Sequence, residues 1–286
     1  MNSPAKVRSL LPWAALFLAL YVIGHFLPEG FNWRLDFSQG NFPPWWVPWA
    51  KPLIALLNLP AVFALTMVGL AARSFRRNRA LLPIALAVVS LPTLWTLFLG
   101  DVSGLPLIGL LILPWGIPLV LLKPQIAAFS LLSNWKGFIF ATLWLAISVV
   151  IWGLWPLQLL GVQTPEWKAL HPQDITLFPW GILLSAPLMW LGRRDEDLLM
   201  AAGSLATPHL FPYHFIVLMP ALARMRRGWM WATWILTWSP LLANWLGPLA
   251  WHLGNLASLS FFAGIYLHRG KLRVGRAESA ASSAQS

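Results

Sequence analysis

Apolar residues run in long blocks along this chain, and polar residues are gathered into the short gaps between them. The blocks 10–27, 53–72, 80–99 and 137–160 are each close to the ~20 residues an α-helix needs to cross a bilayer. In lipid a backbone must satisfy its own N–H and C=O groups, so such blocks read as helices. Further helices are expected from the "GDVSG" turn to Lys123, down to "RRDED", and over about 228–247 and 248–267. The expectation is an all-α, polytopic transmembrane bundle of about eight spanning helices. Residues 125–135 are apolar but too short to span, and suit a short interfacial or re-entrant helix.

The segment 198–223 departs from this pattern. It is too short for two crossings at ~20 residues each, yet arginines flank it on both sides. In its middle, "TPHLFPYHF" interrupts two apolar runs with His209, His214, Tyr213 and the prolines Pro208 and Pro212. Proline removes a backbone donor and disfavours helix in the residue before it, which places a turn there. A re-entrant hairpin is expected. Its tip would line a cavity, since irregular backbone at membrane depth needs protein or water beside it.

Composition agrees with the pattern. Hydrophobic residues make up 58% of the chain and charged residues 10%, with a mean hydropathy of +0.66. Soluble domains carry about 25% charged residues. The net charge of +11 would suit nucleic acid if it were spread over one face, but its distribution is topological. With the amino terminus in the cytoplasm, all lysines and arginines except Arg34, Lys51 and Lys168 fall on the inner side, as the positive-inside rule requires. Nucleic-acid binding is therefore not expected; membrane lipid is. Trp33, Trp45, Trp46, Trp49 and Trp167 suit an aromatic belt at the outer interface. Both termini are placed in the cytoplasm of a cell membrane, bacterial in character. Residues 1–8 form a cytoplasmic lead and 9–268 a single membrane domain. Residues 269–286 are a polar tail expected to be disordered. The first block is expected to be a retained helix, because "HFLPEGFNW" offers no small-residue cleavage site.

Candidate chemistry is sparse and one-sided. The chain has no cysteine, so it has no thiolate nucleophile or thiolate metal site, and it shows no HExxH, Walker lysine loop or GxSxG elbow. No metal is expected. Glu29, Asp36, Asp101, Glu166 and Asp174 fall on the outer side, as do all the histidines except His268. Glu29, Glu166 and His171 suit a solvated loop, and Asp101, after Gly100, suits a helix cap. Asp36, in "NWRLDFSQGNFPPWW" beside Arg34 and Phe37, can serve as a general base toward a hydroxyl. His209 and His214 suit proton transfer or donation to a phosphate, since imidazole titrates near neutrality.

Several segments, taken in order, resemble the polyprenol-phosphate-sugar-dependent membrane glycosyltransferases of the GT-C class, specifically glycosyltransferase family 87. The matching elements are "LDF" with Asp36 after the first helix, "NFPPWW" with Pro43 and Pro44, "LGDVSGLPLIGLLILPWGIPLVLLKPQIA" ending in Lys123-Pro124-Gln125, and "ATPHLFPYHFIVLMPAL". The resemblance covers most of residues 30–225. It implies transfer of a mannose-like sugar from a polyprenyl-phosphate donor at the outer face, with inversion and without a cofactor. Asp36 would be the base, and His209 or His214 would face the donor phosphate or position the acceptor. Arg34, Phe37, Asp101, Tyr213, Lys123 and Gln125 would bind substrate, with Lys123 and Gln125 open to a structural role pinning a helix end at the inner interface. The chain departs from the family in a short first outer loop, about 28–51, and in lacking a tyrosine-rich stretch after the Asp-Phe. A non-catalytic membrane subunit that binds lipid or a partner through its tryptophan-rich rim is the alternative. A transporter with broken helices is weaker, because no paired halves are present.

Overall fold

The computed structural model describes the backbone of residues 4–34, 46–157 and 171–283, and the side chains of those between 10 and 269. Asp36, Phe37, Pro43, Pro44, Trp45, Glu166 and Trp167 lie outside the described residues. The described chain is helical, with no strand.

Helix α1 (Pro4–Gly24) runs up and α3 (Leu59–Arg77) runs back beside it. The Asn58 side chain donates to the Tyr21 hydroxyl at one end (2.9 Å), and Trp13 meets Phe75 edge-on at the other (5.9 Å between ring centres). The short α2 (Ala50–Ala55) precedes α3. Next come α4 (Leu81–Val88) and α5 (Leu91–Leu99), bent by 46° relative to each other. At the bend, the hydroxyls of Ser90 and Thr93 both donate to the Ala87 carbonyl (2.8 Å each). Side chains thus satisfy a backbone group that the interrupted helix leaves over.

Two helices, α3 and α9 (Trp135–Trp152), are long and apolar enough to cross a membrane, and the bent α4–α5 pair makes a third if counted as one span. The eight separate spanning helices expected from hydropathy are not what the described residues show. Prolines and glycines divide the other apolar blocks. The block ending at Lys123, read as one helix, is a tight pair instead. It consists of α6 (Leu105–Leu111) and α7 (Ile117–Val120), packed together across a turn that holds Pro114 and Gly116. A Cβ on Gly116 would stand 2.0 Å from the Gly109 carbonyl oxygen, so these two backbones close only because both residues are glycine. The two helices expected over 228–267 become α12 (Arg227–Leu236), the short α13 (Ala243–Leu246) with 3-10 turns at Ser239–Leu242 and Pro248–Gly254, and α14 (Asn255–Ser283). The backbone of α14 continues as helix through Ser283, past the point where the polar tail was expected to begin.

Residues 125–135, expected to lie at an interface, begin as α8 (Pro124–Ala127) and continue as the 3-10 helix Ala128–Ser133. One side of the segment is buried, through Ile126, Ala127, Ser130 and Leu131, while Leu132 and Trp135 are exposed. A Cβ on Gly203 would meet the Phe129 ring at 2.1 Å.

Which side chains face inward is telling. On α9 the buried residues are Gly137, Ala141 and Ser148, while Phe138, Leu143, Ile147 and Val150 are exposed. Helix α10 (Gly181–Gly192) buries Gly181, Ser185 and Gly192 and exposes Ile182, Leu183 and Trp190. Water would drive the large residues inward. Small residues inward and large apolar residues outward is the packing of helices surrounded by lipid, where close backbone approach holds them together.

The segment expected to be a re-entrant hairpin is two short helices with a break between them, α11 (Glu196–Ser204) and the 3-10 helix Pro212–Arg224. It forms the centre of the molecule, and Leu210, Ile216, Leu218 and Met219 have no exposed surface. Its two ends are clasped together. Arg224 holds Asp195 with two parallel bonds (2.7 and 2.6 Å) and reaches Asp197 at 2.6 Å. From the end of α3, Arg73 and Arg77 reach Glu196 and Asp197, with Arg73 3.2 Å from Glu196 and 3.3 Å from Asp197. Three of the arginines expected on one side, Arg73, Arg77 and Arg224, thus meet at the base of the hairpin.

Candidate functional site

At the opposite end, the hairpin tip is tied down by backbone and carboxylate bonds. Asp174 begins an Asp-x-Thr turn: its Oδ1 accepts the N–H of Thr176 (3.2 Å) and also that of Leu210 across the gap (2.9 Å). The Ile175 N–H donates to the Leu210 carbonyl (2.8 Å), and Thr176 Oγ1 donates to the Thr207 carbonyl (2.5 Å). On its other side the tip is held by Thr207, whose hydroxyl donates to the Gln125 carbonyl. Gln125 therefore contributes through its backbone.

This leaves the second oxygen of Asp174 for His209. Oδ2 lies 2.7 Å from His209 Nδ1, and the carboxylate is buried. A carboxylate can only accept, so Nδ1 carries the proton and the basic nitrogen of the neutral ring is Nε2. This is the orienting arrangement by which an acid fixes an imidazole's tautomer and ring orientation. The ring of His209 meets Phe211 edge-on, 4.6 Å between centres.

His214 is held differently. The break ends in Phe211-Pro212-Tyr213-His214, with Pro212 at the first helical position, where its missing donor costs nothing. Three residues into the helix, His214 turns back, and its Nδ1 accepts the Phe211 N–H (3.1 Å) in the manner of a capping box. An acceptor nitrogen cannot carry a proton, so the ring is neutral with its proton on Nε2. That Nε2–H is buried and meets no acceptor among the described residues. An unsatisfied buried donor costs about 1–3 kcal/mol.

Beside this ring stands a buried ion pair. Asp101 caps the 3-10 turn Val102–Gly104, its Oδ1 accepting the Ser103 N–H (2.7 Å) and the Ser103 hydroxyl. Its Oδ2 accepts from Asn32 Nδ2 (3.0 Å) and from Lys123 Nζ (3.3 Å). The ammonium lies 4.1 Å from the centre of the Trp46 ring and 5.9 Å from that of Tyr213, both within cation–π range. Tyr213 in turn packs against His214 at 4.6 Å.

Lys123 thus belongs to the end that carries the histidines. The expectation that it pins a helix at the arginine end is corrected, because the α6–α7 pair turns back and returns Lys123 to the level of Asp101. The aromatic belt is corrected too. Trp33, Trp46 and Trp49 are buried, and Trp49 donates to the Pro118 carbonyl (2.9 Å) amid the rings of Trp144 and Trp155. Arg34 is exposed, its guanidinium donating to the Glu29 carbonyl (3.0 Å). Of the predicted site residues, His209, His214, Tyr213, Asp101 and Lys123 come together. Asp36 and Phe37 lie outside the described residues. Sequence reasoning gave no role to Asp174 or Asn32; the Asp-x-Thr spacing after "HPQ" was the available signal for Asp174. Among the described residues no group of three or more histidines and acids could hold a metal.

No family model matches the chain, and no curated protein or solved structure matches it.

Proposed function

We propose that the chain is a multi-pass membrane glycosyltransferase that moves a hexose from a polyprenyl-phosphate donor to a hydroxyl acceptor at the outer face of a bacterial cell membrane. About eight crossings, some made of broken helices, place both termini in the cytoplasm. The observation that carries the reading is the convergence of an acid-oriented imidazole, a second imidazole and a half-buried ammonium on the proline-broken tip of a central hairpin, at the end opposite the arginine clasp. Ionisable groups at membrane depth are costly, and their gathering at one point favours function over packing.

The chemistry would be a displacement at the anomeric carbon. Asp36 takes the acceptor's proton, the acceptor oxygen forms the new bond to carbon, and the bond to the lipid phosphate breaks with its electron pair leaving on the phosphate. Lys123 supplies positive charge and His214 Nε2–H a donor where that charge develops, while His209 Nε2 accepts a hydrogen bond that positions the acceptor hydroxyl. Positioning of the two substrates supplies much of the remaining acceleration.

Purified protein given polyprenyl-phosphate mannose and its hydroxyl acceptor is expected to transfer the sugar, and Asp36→Asn to lower that rate by about 10²–10⁴-fold, the usual worth of a general base. Wild-type turnover in Asp36→Asn would remove Asp36 from the mechanism. Absence of transfer from any polyprenyl-phosphate hexose would remove the reading itself.

A further inference from the structure

The two imidazoles at the hairpin tip are held in opposite ways. His209 gives its Nδ1 proton to Asp174, which leaves Nε2 basic. His214 accepts at Nδ1 from the Phe211 backbone, which leaves Nε2 as a fixed N–H donor. A ring whose Nδ1 is occupied by a backbone donor cannot become a cation without breaking that cap. It is therefore unsuited to shuttling protons and suited to donating one hydrogen bond to an acceptor.

Among the described residues nothing takes that bond, although the ring is only 3% exposed. The two buried acids at this end among the described residues, Asp101 and Asp174, are already engaged. Asp101 holds Ser103, Asn32 and Lys123, while Asp174 holds Thr176, Leu210 and His209. What the surroundings offer is donors and positive charge: the Lys123 ammonium against the Tyr213 ring, and Tyr213 against His214. An acceptor that enters here meets an N–H and a cation, which is the environment of an anionic oxygen.

We propose that His214 Nε2–H and Lys123 form a binding site for a phosphate oxygen, in which His214 is a permanent donor and takes no part in proton transfer. That the phosphate belongs to a lipid rests on the function proposed above; the donor role of His214 does not.

The protein offers a clean separation of the two ring nitrogens. His214→Asn keeps an acceptor near the Nδ1 position for the Phe211 cap and loses the Nε2 donor. His214→Gln places a donor near Nε2 and loses the cap. Binding of inorganic phosphate, polyprenyl phosphate and uncharged polyprenol is measured on the full chain in zwitterionic nanodiscs, with thermal unfolding as the check on folding. His214→Asn is expected to unfold like wild type yet bind phosphate at least about tenfold more weakly, the worth of one hydrogen bond to a charged group. His214→Gln is expected to retain more of the binding than His214→Asn, and polyprenol is expected not to bind comparably to its phosphate. Tight binding of polyprenyl phosphate with weak competition from inorganic phosphate assigns the site to a lipid headgroup; equal binding of both assigns it to free phosphate. A ¹⁵N-histidine spectrum is expected to show His214 as the neutral Nε2–H tautomer and to shift on phosphate addition. Wild-type phosphate affinity in a folded His214→Asn, or a proton on Nδ1 of His214, overturns the proposal. Phosphate binding that depends on His214 without any sugar transfer would leave it standing while removing the glycosyltransferase reading.

Discussion

Replacing Asp174 with asparagine is expected to lower sugar transfer by about 10²–10⁴-fold, with most of the loss in turnover rather than in donor affinity. The reason lies in the two oxygens. An asparagine can still accept the N–H groups of Leu210 and Thr176 through its carbonyl, so the tip stays tied to the 174–176 turn. Its amide then faces His209 Nδ1 with a donor where a carboxylate had accepted. The imidazole is driven to the other tautomer, and Nε2 becomes a donor instead of a base. His209→Ala is expected to lose a similar factor, and the double variant no more than either single one, because the pair acts as a unit. Rates measured at saturating donor on protein of matched thermal stability check this. Additive losses would mean that Asp174 and His209 serve separate purposes.

The second large effect is expected at the other end. Asp197→Asn should destabilise the protein by about 3–5 kcal/mol, the penalty for stripping one partner from a buried ion-pair group. Asp197 is 1% exposed and faces three guanidiniums; Arg73, also buried, would keep its charge with half its counter-charge gone. Burial alone would raise the carboxyl's pKa, but Arg73, Arg77 and Arg224 outweigh it and hold it below the ordinary value of 3.8. A carboxylate whose folded pKa is depressed stabilises the fold above its unfolded pKa and loses that contribution as pH falls through the folded value. Wild-type protein in detergent should therefore keep its melting temperature from neutrality to near pH 4 and fall below it, while Asp197→Asn, already low, should fall less steeply there. Melting curves across that range check both the size and the sign.

Much of this architecture can be read from the amino-acid order because the controlling effects are local. Helix follows from apolar blocks in a chain with few charges. The hairpin follows from two prolines between apolar runs that arginines flank. What could not be read is set by contacts between distant segments. The block ending at Lys123 has the hydropathy of one crossing, and only the mutual approach of Gly109 and Gly116 folds it into a pair. That single turn decides which end Lys123 occupies, and so whether it pins a helix or faces Tyr213 and Asp101.

The tryptophans illustrate the same limit. Hydropathy and position assign Trp46 and Trp49 to a membrane interface, where an amphipathic ring is at home. The fold uses them inward instead, Trp46 beneath an ammonium and Trp49 with its indole N–H on a carbonyl that α7 leaves over. At the site, the two histidines were visible as an anomaly in an apolar stretch, but their division of labour was not. It depends on a carboxylate that sits 35 residues before His209 and on a backbone N–H three residues before His214.

The claim on which all of this depends is that the hairpin's tip and its clasped base lie on opposite sides of a membrane. The chain has no cysteine, so one can be placed at each end and probed alone. Pro208, at the tip, and Gly228, just past the clasp, are both exposed, and a side chain added at Gly228 meets open space. In intact cells, a membrane-impermeant maleimide added outside is expected to label Pro208→Cys and leave Gly228→Cys untouched until the membrane is opened. Labelling of both positions from the same side would contradict the account.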